Sequence, residues 1–318
     1  MGSFVDGLWQ LSDDELAEGF PEPLPRQEDH LAKAHTFARD ARVKFVEDGH
    51  YYLVTNSNGE VVRAPVSVTG LLDRFKRKFD ADAASRGLGR RSDKYKRPDG
   101  SPMTDEEIRA SWSKLGKVAS IRGTLMHYQI EQYFNGRPPA DPLSPEMRQF
   151  LDFEAQEIRG KGLSPFRTEM SIFHCGLSIA GQCDMLCKAP DGGLFLLDWK
   201  RCKSVDMESF RGERMKSPLD HLDHCKFIGY ALQLNLYRFI LESEYGVIVC
   251  GMALGVFHPQ RSEYQFLPVP KMDREISLIV SHLKAQGVAS DPRPDPDASF
   301  CGAALEEMRG MDRKRLGE

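Results

Sequence analysis

Residues 166–200 hold three apolar segments in quick succession, at 166–173, 177–187 and 194–200, the last two parted by Asp191-Gly192-Gly193. Runs this short, rich in β-branched and aromatic residues and bounded by turn formers, read as successive strands. Helical spacing lies on both sides of them, at 106–134 and 145–159 before and at 231–243 and 272–286 after, with an apolar strand-like run at 247–258 between the last two. A block of strands enclosed by helical segments restricts the chain to an α/β architecture, a mixed central sheet flanked by helices.

Ser12-Asp13-Asp14-Glu15 has capping-box spacing and predicts a short N-terminal helix. Pro21, Pro23 and Pro25 stop it and predict an extended linker. Strand-like residues at 44–54 and 60–68 flank Asn56-Ser57-Asn58-Gly59, a hairpin signal, and helical pattern takes over near Thr69. Residues 86–105 are polar, basic and rich in Gly and Pro, which predicts an exposed, mobile loop. The helix after it is expected to break near Gly123 and to close at Asn135-Gly136. Asp291-Pro292-Arg293-Pro294 interrupts regular structure, so the division expected is 1–40 as helix and linker, 41–287 as the main domain, and 288–318 as a tail.

In a chain of 318 residues, 41% hydrophobic and 28% charged, no apolar run approaches the roughly 20 residues of a membrane span, so no membrane partner is expected. The N-terminal residues lack a basic-then-apolar leader pattern. The expectation is a soluble, intracellular protein, with cytoplasm and nucleus equally open. The seven cysteines show no disulfide or zinc-ligand spacing, and Cys183 and Cys187 read as buried thiols in a reducing compartment. A formal net charge of −4 excludes a globally basic nucleic-acid binder and leaves local patches. Arg86, Arg90, Arg91, Lys94, Lys96 and Arg97 make one such patch; Arg74, Lys76, Arg77 and Lys78 make a second. Each reads equally as a solvated surface or as phosphate contacts.

The chemistry centres on Asp184 and on Asp198-Trp199-Lys200. Adjacent strands ending near Asp184 and Asp198 bring two carboxylates to one edge of the sheet, an arrangement hard divalent cations favour. Alternation puts Lys200 on the same face as Asp198, so an ammonium joins them, while the Trp199 side chain faces the other way and its carbonyl remains free to face a metal. Phosphodiester cleavage needs a metal to polarise the phosphate and activate water, with positive charge nearby. A lone strand-end Asp-x-Lys also forms plain surface ion pairs. His127 and Glu131 share a helix face four residues apart, where an imidazole is a fitting metal ligand and an ordinary helix-surface pair is the alternative. Gln233 and Tyr237 repeat that spacing downstream and can position a phosphate or water, or satisfy buried backbone.

Taken together, His127, Glu131, Glu169, Gly181-Gln182-Cys183-Asp184, Asp198-Trp199-Lys200, Gln233 and Tyr237 resemble the PD-(D/E)XK nuclease superfamily, in particular its RecB-like exonuclease branch, over about residues 120–240. Ser67-Val68-Thr69 ahead of Leu71-Leu72 is similar to a segment of mitochondrial genome-maintenance exonucleases. The resemblance implies a restriction-endonuclease-like fold and Mg²⁺ or Mn²⁺ held by His127, Asp184, Asp198 and the Trp199 carbonyl. It makes Lys200 the residue that orients water and Gln233 and Tyr237 active-site supports. Glu131 and Glu169 match less closely; Glu169 serves as a second-metal ligand, a carboxylate behind the ligands, or a strand-edge charge. Cys183 stands where the superfamily's Pro is usual. The activity implied is a DNA exonuclease on single strands or duplex ends in replication, recombination or repair. An inactive nucleic-acid-binding module and a structure-selective endonuclease are the alternatives. No phosphate-binding loop of a motor is readable, so any helicase or recombination partner is a separate protein.

Overall fold

The computed structural model describes residues 11–19, 24, 29–46, 49–56, 58–64, 66–139 and 141–287. The tail expected at 288–318 lies outside the described residues. In chain order the elements are α1 (Asp13–Glu18), α2 (His30–Ala34), β1 (Val43–Val46), β2 (Tyr51–Thr55), β3 (Val61–Arg63), β4 (Val66–Ser67), α3 (Val68–Phe75), α4 (Ala81–Ser85), α5 (Leu88–Arg91), α6 (Asp105–Phe134), α7 (Pro145–Phe153), β5 (Ser164–His174), β6 (Ile179–Lys188), β7 (Leu194–Arg201), α8 (Lys226–Glu244), β8 (Val249–Phe257), β9 (Gln265–Pro268) and α9 (Asp273–Ala285). The architecture is mixed α/β, as the interleaved periodicities predict.

Three expectations about connections change. The strand predicted over 44–54 divides into β1 and β2, which with β3 form a small antiparallel sheet. Gly49 and His50 at its first turn both take positive φ, which breaks the run. Secondly, α1 does not stand apart. Ser12 and Glu15 form the expected capping box, and Leu16 is fully buried against Val118, Ile121 and Leu125 of α6. Thirdly, α6 runs unbroken through Gly123. One glycine costs a helix only about 1 kcal/mol against alanine, and burial of Val118, Ile121, Leu125 and Met126 on either side outweighs it.

The segment 86–105 is a folded arm rather than a loop. Thr104 and Glu107 cap α6 reciprocally, and Arg97 bridges to Glu107 at 2.6 Å. The Asp105 carboxylate accepts the Gly87 N–H at 2.9 Å, and Arg109 donates to Ser85 at 3.0 Å. A Cβ at Gly89 would fall 2.2 Å from the Met103 carbonyl oxygen, so α5 can approach this strap only with glycine there.

In the main sheet the order is β4-β6-β7-β8-β9, with β5 paired antiparallel to β6 along its length. The opposite edge of β6 is divided. Parallel β4 takes Ile179 and Ala180, and antiparallel β7 takes Met185 to Lys188. A gap over residues 181–184 results. One face is covered by α3, α8 and α9, with Cys183, Leu186, Leu196, Leu236, Tyr237 and Leu254 in its core. The other is covered by α6 and α7, with Met126, Phe150, Phe153, Met185, Leu197, Trp199 and Phe257.

Strand alternation fails at one cross-strand position. Met170 and Cys183 pack in the core under α8, whereas Met185 packs on the opposite face and Thr168 bonds Asn135 of α6. The register stays constant across this step, so both strands change faces together at Glu169 and Asp184. Glu169 has φ +43°, a left-handed conformation uncommon outside glycine.

Trp199 anchors β7. Its ring is 1% exposed and meets Phe150, Phe153 and Phe257 at centroid separations of 5.6–6.0 Å. Across the ladder stands Gly255, where a Cβ would fall 2.8 Å from the indole. Gly255→Ala is expected to destabilise the fold by about 1–3 kcal/mol through overpacking. Urea unfolding should show a lower midpoint at unchanged slope, and an unchanged midpoint would refute this packing account.

Candidate functional site

The gap in the edge of β6 gathers the chemistry-bearing residues. β6 and β7 stop pairing after Met185 and Leu197, so Asp184 and Asp198 face each other where the ladder opens. Asp184 therefore lies mid-strand, not at the strand end the sequence suggested, and it is the pairing that ends there. Its carboxylate replaces a ladder acceptor, Oδ2 taking the Trp199 N–H at 2.7 Å. Glu169, on the other side of β6, turns into the same space through its left-handed backbone.

From α6, His127 reaches over the gap. Its Nε2–H donates to the Trp199 carbonyl at 3.0 Å, since a carbonyl can only accept. Nδ1 then faces the carboxylates, 3.5 Å from Glu169 Oε1 and 3.6 Å from Asp184 Oδ2. Ligand atoms of His127, Glu169 and Asp184 lie within 4.8 Å of one another. The carboxylate that joins the imidazole is Glu169; Glu131 sits one helical turn along α6 and outside this group. The Trp199 carbonyl lies at the site, where it accepts the imidazole N–H.

Asp198 and Lys200 share the α8 face, as alternation predicts. Lys200 Nζ is 2.5 Å from Asp198 Oδ2 and lies 4.8 Å from the centre of the Tyr230 ring. Gln233 Nε2 donates to the Tyr237 hydroxyl at 3.0 Å and lies 3.4 Å from Asp198 Oδ1. Tyr237 is buried because Gly181 allows it: a Cβ there would fall 2.5 Å from the phenol ring. Tyr230 was missed by the sequence reading, although it precedes Gln233 by three residues on the helix face that also carries Tyr237, and that spacing is a sufficient signal.

Burial wins at the carboxylates and neighbouring charge at the cations. Burial pushes Asp198 up to about 6 despite the Lys200 ammonium, and it raises Asp184 against the pull of His127, with the Glu169 charge adding to it. Burial alone would lower His127, but Asp184 and Glu169 outweigh it and lift the imidazole to about 9. Lys200 is likewise held above its usual value, since Asp198 and Asp184 overcome its desolvation. Three carboxylates thus crowd one lysine and one imidazole in a site rich in oxygen donors. That donor set fits a hard divalent cation.

The basic patch is not brought to this cluster. Arg97 is engaged by Glu107, Ser101 and the Pro102 carbonyl; Lys96 pairs with Asp93 at 2.5 Å; Arg91 donates to the Arg86 and Gly87 carbonyls. These three side chains are engaged within the arm. Arg86, Arg90 and Lys94 are exposed and make no ion pair among the described residues. Cys183 and Cys187 are buried free thiols, as expected.

A pH dependence of stability follows from His127. Its folded value lies above the ordinary 6.5, so the stability it contributes is complete below pH 6.5 and is lost as pH rises through about 9. In a chelator, the melting temperature should fall between pH 6.5 and 9, and His127→Asn should flatten that fall. An identical pH profile for the variant would show that the imidazole is not charged by its carboxylate neighbours.

No family model and no curated protein matches this chain. Among solved structures, the chain is similar to the crystal structure of SSO0001 at 13% sequence identity and a TM-score of 0.27, over 70% of this chain and 76% of that one. A likeness of that size carries no functional argument. Among the described residues, no helix is long and apolar enough to cross a membrane.

Proposed function

We propose that this chain is a Mg²⁺- or Mn²⁺-dependent deoxyribonuclease of the PD-(D/E)XK type with a restriction-endonuclease-like fold, acting as an exonuclease on single strands or duplex ends in replication, recombination or repair. The observation that carries this reading is the convergence of Asp184, Asp198, Glu169, His127 and Lys200 on one gap in the sheet. The exonuclease preference rests on the resemblance of the motifs to the RecB-like branch.

In this reading His127 Nδ1, Asp184, Glu169 and Asp198 would hold the cation; the cation would displace the Nδ1 proton that Asp184 and Glu169 otherwise favour, and the hydrogen bond to the Trp199 carbonyl would keep the remaining proton on Nε2. When bound, the cation supplies charge neutralisation at the phosphoryl oxygens and a lowered pKa for water. Lys200 stays charged, tethered by Asp198 and resting on Tyr230, where its ammonium orients the attacking water and offsets negative charge on the phosphate. Gln233 steers Asp198 and is itself fixed by the Tyr237 hydroxyl. Burial raises both Asp184 and Asp198, so binding of a cation, which favours their ionised forms, would draw protons out of the site.

Asp198→Asn and Lys200→Ala are each expected to lower cleavage of end-labelled single strands by at least about 100-fold with the circular dichroism spectrum retained. Wild-type protein should degrade linear strands only with Mg²⁺ or Mn²⁺ and spare covalently closed circles. Cleavage by either variant at the wild-type rate would defeat the assignment. Degradation of circles would replace exonuclease by endonuclease.

A further inference from the structure

The arm formed by α4, α5 and the first half of α6 carries an aromatic surface that the proposed centre does not use. Phe79 is 73% exposed, and its ring meets Trp112 of α6 at a centroid distance of 5.8 Å and an angle of 57°. Trp112 is fixed from another side: its indole N–H donates to the Tyr95 hydroxyl at 3.0 Å, and the Tyr95 ring stands edge-on at 6.1 Å. Leu115, one turn further along α6, is 61% exposed. Large apolar side chains left in water beside one another mark a binding surface more often than a defect of packing.

Charge around this surface selects the occupant. Residues 74–107 contain ten Lys or Arg against seven Asp or Glu, a local positive excess within a chain of net charge −4, although Arg91, Lys96 and Arg97 are engaged within the arm. Lys78, Arg86 and Arg90 are exposed without ion pairs among the described residues. An occupant that is polyanionic and also offers flat apolar faces is a single-stranded nucleic acid, whose bases are free to stack on aromatic rings while its phosphates meet the cations. In a duplex the bases already stack on one another.

A route from this surface to the centre lies along α6. Trp112 and His127 are fifteen residues apart, about 22 Å of helix, and fall within about 60° of the same face. Between them, Gly116, Ala119 and Ser120 are exposed, and a Cβ at Gly116 or Gly123 would meet no atom within 4 Å outside the helix itself. This face therefore offers low relief, with backbone close to the surface.

We propose that Phe79 and Trp112 form a stacking platform for single-stranded nucleic acid, from which the strand runs along the small-residue face of α6 to the gap at His127. The platform deepens the nuclease reading, on which the destination of the strand rests, but binding at it is separable from cleavage.

The test uses the full chain in EDTA, so that turnover is silent, and follows the anisotropy of a labelled thymidine oligonucleotide of about 20 nucleotides. Phe79 is exposed, and Phe79→Ala should keep the wild-type spectrum and melting temperature while weakening binding about tenfold. Arg90→Ala should weaken it less and lower the slope of log affinity against log salt by about 0.7. A blunt duplex should bind the Phe79 variant and the wild type within twofold. Unchanged affinity of the Phe79 variant for the single strand would overturn the platform, as would an equal loss for the duplex. A change from dimer to monomer in sedimentation on the same substitution would also overturn it, assigning the patch to a second copy of the chain. Absence of cleavage by wild type in Mg²⁺ would sink the nuclease reading while leaving a positive binding result intact.

Discussion

The peptide groups of Trp199 face two different partners, and the candidate site is built around them. Its N–H goes to the Asp184 carboxylate across the opening ladder, and its carbonyl takes the proton of His127 from α6. The indole is clamped on the opposite face by Phe150, Phe153 and Phe257. Because side chains alternate, anchoring this ring on one face sends Asp198 and Lys200 to the other, beneath α8. A strand, its neighbour and both helices of one layer, α6 and α7, are thereby fixed relative to one another by a single residue. Gly255 and Gly181 are the spaces that make this possible, the first for the indole and the second for Tyr237, which supports Gln233 from behind.

This arrangement opposes stability. Desolvated carboxylates crowd together, and Glu169 adopts a backbone conformation that costs an L-residue roughly 1–3 kcal/mol. Strand order and core packing would be satisfied as well by apolar residues at these positions, since Met170, Cys183, Leu196 and Leu254 already fill the core nearby. The concentration of strain and like charge at one cross-strand pair is what distinguishes the gap from an ordinary sheet edge, and it underlies the proposal of a cation there. The resemblance of the motifs adds the reaction class; the geometry contributes the reason that Lys200 remains charged and the reason that His127 presents Nδ1.

Much of this was legible in the sequence wherever short-range periodicity suffices. Alternation in Leu197-Asp198-Trp199-Lys200 separates the indole from the two polar side chains, and the four-residue spacing of Gln233 and Tyr237 places both on one face of α8. The position of Glu169 was not legible, because the same alternation rule assumes regular strands and both strands change faces at Glu169 and Asp184. Residues 86–105 looked like a loop because their order comes from partners distant in sequence: Arg97 with Glu107, Gly87 with Asp105, Arg109 with Ser85. For α1 the burial of Leu16 depends on a surface of α6 about a hundred residues away, which no local window contains.

The length of α6 follows from the two tasks placed on it. A helix of 30 residues exceeds what is needed to cover a sheet of strands 8 to 11 residues long, and only its second half packs on the main sheet, through Met126 and Ile130. The first half is buried instead against α1 and supports the arm that carries Phe79 and the cations. Rigid helix is the economical way to hold two surfaces about 22 Å apart, since each added residue extends it by about 1.5 Å without a new hinge. A break at Gly123 would have uncoupled them. The continuity of α6 through that glycine, with its exposed face kept small from Gly116 to Gly123, is the feature that connects a negatively charged protein's local positive surface to its cluster of acidic residues.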